Sequence, residues 1–140
     1  MFSCSDNIVR TEQVVVENHA TNNTPKIVRF YEVKGKTRTW VKEVWYHENG
    51  NVNVEGPIKD DKRHGDWKGY YPEGELMSVG RFENGRREGK GTVYHQNGQV
   101  SFECEYHEGK PCGLWRYFDE DGNLIEDARF MYSWDSAGRL

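Results

Sequence analysis

No stretch of this sequence comes near the roughly 18 consecutive apolar residues of a membrane-spanning helix. Apolar material is scarce throughout. Hydrophobic residues make up 35% and the mean hydropathy is -0.97, too polar for a thick, many-layered core. Cysteine is limited to Cys4, Cys104 and Cys112, which do not make a disulfide framework. Charge of either sign has little excess. A net charge of -4 gives no general electrostatic pull toward nucleic acid or anionic membrane, so no nucleic-acid partner is expected. Catalytic signatures are missing too: no Gly-x-Ser-x-Gly, no phosphate loop, no His-Glu-x-x-His. The glycines of residues 85–91 are turn chemistry, since no phosphate-loop Lys-Ser/Thr or helix follows them. Neither enzymatic activity nor a cofactor is expected.

What is abundant is ring and glycine. Aromatics reach 14% and glycine 15 of 140 residues, the balance of a thin sheet in which rings supply burial and glycine supplies turns. Both fall into a period. Gly50, Gly74, Gly98 and Gly122 recur at intervals of 24, and Gly65, Gly89 and Gly113 keep the same interval. Tyr46, Tyr70, Tyr94 and Phe118 hold one aromatic position, and Val52, Leu76, Val100 and Leu124 an aliphatic one. Gly56, Gly80, Cys104 and Ala128 hold a small position, and Ile58, Phe82, Tyr106 and Phe130 a large one.

Each unit reads as a β-hairpin. Residues 100–106 alternate apolar and polar at a period of two, the mark of a strand with one buried face. Residues 52–58, 76–82 and 124–130 repeat the pattern, each preceded by a short strand ending in an aromatic. Asn49-Gly50, Glu73-Gly74, Asn97-Gly98 and Asp121-Gly122 supply the tight turns, and Gly98 is expected at positive φ. The small position leaves room for a ring from the neighbouring strand. Residues 27–33 and 40–46 add one irregular hairpin. The expected fold is all-β, a single-layer antiparallel meander of about nine strands whose aromatic face partly closes on itself. Residues 27–130 form this domain, 131–140 are a C-terminal tail or cap, and 1–26 a flexible tether.

The motif Gly-x-Trp-x-x-Tyr/Phe, then Asn-Gly or Asp-Gly and an aliphatic, resembles the MORN-repeat superfamily. Gly65-Asp66-Trp67-Lys68-Gly69-Tyr70 and Gly113-Leu114-Trp115-Arg116-Tyr117-Phe118 carry it, while Gly89-Lys90-Gly91 departs where Trp is expected. The resemblance is closest to a bacterial variant whose members are often labelled antitoxins. It implies an elongated, twisted sheet of hairpins that serves as a scaffold for protein or lipid contact, with antitoxin-type neutralisation of a partner as a further possibility.

The function expected is binding of a protein partner through an aromatic sheet face carrying Trp67, Tyr70, Tyr94, Trp115 and Phe118. The alternative is an adaptor at an anionic membrane surface, using the basic turns with Lys62, Arg63, Arg86, Arg87 and Lys110. Open sheet edges also permit weak self-association, with Trp40, Trp45 and Trp134 toward the ends. The five histidines read as solvated, and a metal site from Cys104, His107 and Cys112 fits no zinc signature. Cys4, after Ser3, has the pattern of a lipoprotein cleavage site and is a candidate for lipidation. That reading places the protein in the cell envelope and requires an upstream basic start and apolar stretch; otherwise the expected location is cytoplasmic.

Overall fold

The computed structural model describes residues 8–130. Ten principal strands run in sequence order across one antiparallel sheet, with three two-residue bridges beside them. The N-terminal part comprises β1 (Val9–Asn18), β2 (Pro25–Lys34) and β3 (Thr37–Tyr46). The repeats follow as β4 (Val52–Lys59), β5 (Lys62–Arg63), β6 (Gly65–Tyr70), β7 (Leu76–Glu83), β8 (Arg86–Arg87), β9 (Gly89–Tyr94), β10 (Val100–His107), β11 (Lys110–Pro111), β12 (Gly113–Phe118) and β13 (Leu124–Phe130). The expected hairpin meander is the observed one. Among the described residues β1 and β13 pair with nothing beyond their one neighbour, so the sheet is open rather than closed.

The tenth strand corrects the expectation of a tether. Val9–Asn18 pairs with β2 over its whole length, from Val9↔Lys34 to Asn18↔Pro25. The segment is mostly exposed because it packs on one neighbour only, yet its threonine and run of β-branched valines suit an extended backbone. Its reward lies beneath it: Ile27, Val28 and Val33 of β2 are buried.

Two kinds of turn alternate along the repeats. Asn97-Gly98 closes one kind, with Gly98 at φ 86° and its N–H donating to His95 O at 2.9 Å. The other kind is a two-residue turn with positive φ at both positions: Asp60-Asp61, Asn84-Gly85 and Glu108-Gly109, the type I′ geometry that matches strand twist. After each of these turns two residues pair back on the long strand, and then the chain bulges. Ile58↔Arg63 and Val54↔Gly69 differ in register by two residues, the bulge being His64-Gly65. The same offset recurs at Glu88-Gly89 and Cys112-Gly113.

One face of the sheet, the aromatic face, carries Trp67, Phe82, Phe102 and Trp115; the other, the charged face, carries the ion pairs, with the buried Val44 beside Glu55. Ile58, Trp67 and Cys104 are buried on the aromatic face. On the charged face Lys42 pairs with Glu55 at 2.7 Å, and Arg116 pairs with Glu103. At the N-terminal end the aromatic face holds a buried carboxylate, Glu43, which pairs with Arg29 at 3.0 Å and accepts the Trp45 indole N–H at 2.7 Å. That bond to Glu43 raises the pKa of Arg29 above the ordinary arginine value.

Candidate partner-binding face

A row of paired positions crosses the aromatic face from strand to strand. Glu43 stands opposite Gly56, Trp67 opposite Gly80, Cys104 opposite Gly91, and Trp115 opposite Ala128. Small and large residues alternate along it. Trp67 illustrates the arrangement: a Cβ added at Gly56 would fall inside its indole, so the ring lies flat on the neighbouring backbone. Its Nε1–H donates to Pro57 O at 3.0 Å, and the Arg63 guanidinium stacks 4.2 Å from the ring centroid.

The rings form two islands. Trp67 meets Phe82 edge-on, with centroids 6.0 Å apart. Trp115 stacks on Phe102 at 6.2 Å and meets Tyr106 edge-on at 5.5 Å, while Phe102 also contacts Tyr117 at 5.6 Å. Between them Gly91 supplies no ring, and a groove of about 340 Å³ spans from Trp67 to Trp115. Arg87 reaches into that gap, 5.6 Å from Phe82 and 5.3 Å from Tyr106.

Three of the expected aromatic contacts lie on the other side. Residues three apart on a strand point to opposite faces, so Tyr70, Tyr94 and Phe118 do not share a face with the tryptophans. Tyr70 donates to Glu55 at 3.2 Å, within the Lys42–Glu55 pair. Burial, and then Glu55, raise the Tyr70 pKa, while the bond to Lys42 holds Glu55 below the ordinary carboxylate value. Phe118 lies 5.9 Å from Arg116 on the charged face. Trp67 is on the aromatic face but only 3% exposed, so it supports the groove and is itself covered; Trp115 is half-buried.

The basic positions also divide. Ile58↔Arg63 and Phe82↔Arg87 put both arginines over the aromatic face. Burial, with Arg87 acting in the same sense and Glu43 against it, lowers the pKa of Arg63. Lys62, Arg86 and Lys110 stay exposed along one edge, where successive turns are tied by Gly85 N–H to Arg63 O and Gly109 N–H to Arg87 O, each 2.9 Å. Cys4 and Trp134 lie outside the described residues.

Three of the five histidines expected to be solvated, His19, His47 and His95, form a ladder instead. His47 bonds Tyr70 O and His95 bonds Phe118 O, each at 2.9 Å, and Tyr71 donates to Tyr94 O at 2.7 Å. His19 does the same to Tyr46 O at 2.9 Å. Each joins one turn to the end of the next strand pair; the shared repeat position of His47, Tyr71 and His95 was the available signal. Burial pushes the Cys104 and Cys112 thiols above the ordinary thiol pKa. Among the described residues no group of three His, Cys, Asp or Glu is placed to hold a metal ion.

The pattern of the MORN repeat variant matches residues 41–60, 63–84, 87–108 and 111–130. The chain belongs to the MORN repeat variant family. MORN repeats are in general modules that bind proteins or membranes, and the aromatic groove is lined by residues of all four matched repeats, from Val54 to Trp115. No curated protein matches the chain. Among solved structures it is similar to TarM, at 13% identity and a TM-score of 0.32, covering 85% of this chain and 19% of that one. A mutant of S. aureus TarM in complex with Fondaparinux, alpha-GlcNAc-glycerol and UDP gives 14% identity and a TM-score of 0.32, covering 86% and 20%. The chain spans about a fifth of the length of these proteins.

Proposed function

We propose that this MORN-repeat chain is a non-catalytic scaffold that binds a protein partner on its aromatic face. The observation that carries this reading is the groove of about 340 Å³ between Trp67 and Trp115, which combines half-buried rings with two arginines. Rings and guanidinium groups are the commonest binding hot spots, because each gives up much contact area at small conformational cost. On the opposite face Lys42 pairs with Glu55 and Arg116 with Glu103, and such solvent-accessible pairs contribute little energy.

Affinity capture with face-specific variants tests the reading. Tyr106→Ser with Arg87→Glu, checked for folding by circular dichroism, is expected to reduce partner recovery about tenfold. Glu103→Gln with Arg116→Gln on the charged face is expected to leave it unchanged. Equal recovery from both pairs would sink the proposal.

A second reading has an observation of its own: stacked turns align Lys62, Arg86 and Lys110 along one edge. Such a stripe is suited to an anionic membrane surface, with affinity that falls steeply as salt rises. Co-sedimentation with phosphatidylserine vesicles at two salt concentrations separates it from aromatic recognition, which salt weakens much less.

A further inference from the structure

Gly91 stands at the repeat position that Trp67 and Trp115 hold, and among the described residues no indole fills its slot. In the flanking repeats the turn carbonyl accepts two donors. Pro57 O takes His64 N–H at 3.1 Å and the Trp67 indole at 3.0 Å; Glu105 O takes Cys112 N–H at 2.9 Å and the Trp115 indole at 3.3 Å. In the middle repeat Arg81 O takes Glu88 N–H at 2.9 Å, and among the described residues no indole reaches it. The floor is open as well. Whereas Gly56 lies under Trp67, the nearest atom to a Cβ placed on Gly80 is Arg87 Nη1, at 3.8 Å. The walls are Phe82 and Tyr106, the ring partners that the repeat spacing would give an indole at this place.

We infer that this slot receives a tryptophan side chain from an acidic segment of the protein partner. This rests on the reading of the aromatic face given above. An indole there lies on Gly80, donates to Arg81 O and takes edge contacts from Phe82 and Tyr106. Arg87 then covers it as Arg63 covers Trp67. The acidic character follows from charge. Among the described residues neither Arg63 nor Arg87 has a carboxylate at ion-pair distance, so a guanidinium stacked on the ring keeps N–H donors for a partner's carboxylate.

The test is an amide chemical-shift titration of the full chain with N-acetyl-tryptophan, which carries an indole and a carboxylate. Signals of Gly80, Gly91 and Cys104 are expected to move saturably, and N-acetyl-leucine at the same concentration is expected to leave them in place. The uncharged N-acetyl-tryptophan amide should bind at least about threefold more weakly. Gly91→Trp should fill the slot in cis and abolish the titration. Because a Cβ at Gly91 would stand 3.0 Å from Cys104 Sγ, the same filling is also tested with Cys104→Ala added, which copies the Trp115–Ala128 pair. Shifts equal for leucine and tryptophan, or a filled variant that still binds, overturn the inference. If the slot stays silent while capture still depends on Tyr106 and Arg87, the slot fails and the face stands; if capture is also insensitive, both fail.

Discussion

The indole of Trp67 lies on the backbone of Gly56, with no room for a Cβ between them. The repeat-equivalent Gly80 has open space above it, limited by Arg87 Nη1 at 3.8 Å from an added Cβ. One sequence position therefore has two different energetics. Gly56→Ala is expected to cost about 1–3 kcal/mol by overpacking. Gly80→Ala is expected to be neutral or stabilising by up to about 1 kcal/mol, since the strand backbone loses freedom without a clash. Urea unfolding of the two variants checks this, and equal losses would remove the empty middle slot.

The histidine ladder makes a second prediction. His95→Leu leaves Phe118 O without its partner and should cost about 1 kcal/mol. His95→Tyr should cost less, because Tyr71 already makes the equivalent bond. Thermal unfolding that ranks tyrosine with leucine would show that the ladder adds nothing.

The pair Glu88–His107 ties the turn of one repeat to the next at 2.9 Å, and Glu88 also accepts Glu108 N–H at 2.7 Å. That backbone bond first, and His107 second, hold the Glu88 pKa below its ordinary value; the bond to Glu88 raises that of His107. The raised histidine contributes stability fully present below its ordinary pKa of 6.5 and lost as pH rises through the shifted value. The lowered carboxylate contributes above 4.5 and is lost as pH falls through its own shifted value. Their joint contribution is thus greatest between about pH 4.5 and 6.5. An NMR titration should place the His107 midpoint above that of a free histidine, and Glu88→Gln should bring it down. No movement in Glu88→Gln would contradict the assignment.

Turn strain and surface charge should separate cleanly. Gly98→Val puts a β-branched residue at φ 86° and should cost more than about 1 kcal/mol. Glu103→Gln breaks an exposed pair with Arg116 and should cost under about 0.5 kcal/mol. Denaturation midpoints that move equally would invert the roles of turn and face.

Much of this architecture was legible in the sequence. The interval of 24 between turn glycines located the hairpins, and the small position opposite a ring anticipated Trp67 on Gly56. Three features escaped for physical reasons. Val14-Val15-Val16 in β1 does not alternate, because an edge strand packed on one neighbour has no strongly buried face to impose a period of two. Tyr70, Tyr94 and Phe118 were placed with the tryptophans because all of them keep the repeat period, which fixes a position in the unit and not the side of the sheet. The bulges at His64-Gly65 and its equivalents hid the pairing that turns Arg63 and Arg87 onto the rings.

The central claim is that the partner docks on the aromatic face, and site-specific photo-crosslinking in the native host tests it most directly. A photoreactive phenylalanine analogue at Tyr106 looks into the groove, whereas one at Leu114, 36% exposed, sits on the charged side. The account predicts a discrete crosslinked protein from position 106 and none from position 114. Crosslinking from 114 with none from 106 would contradict it.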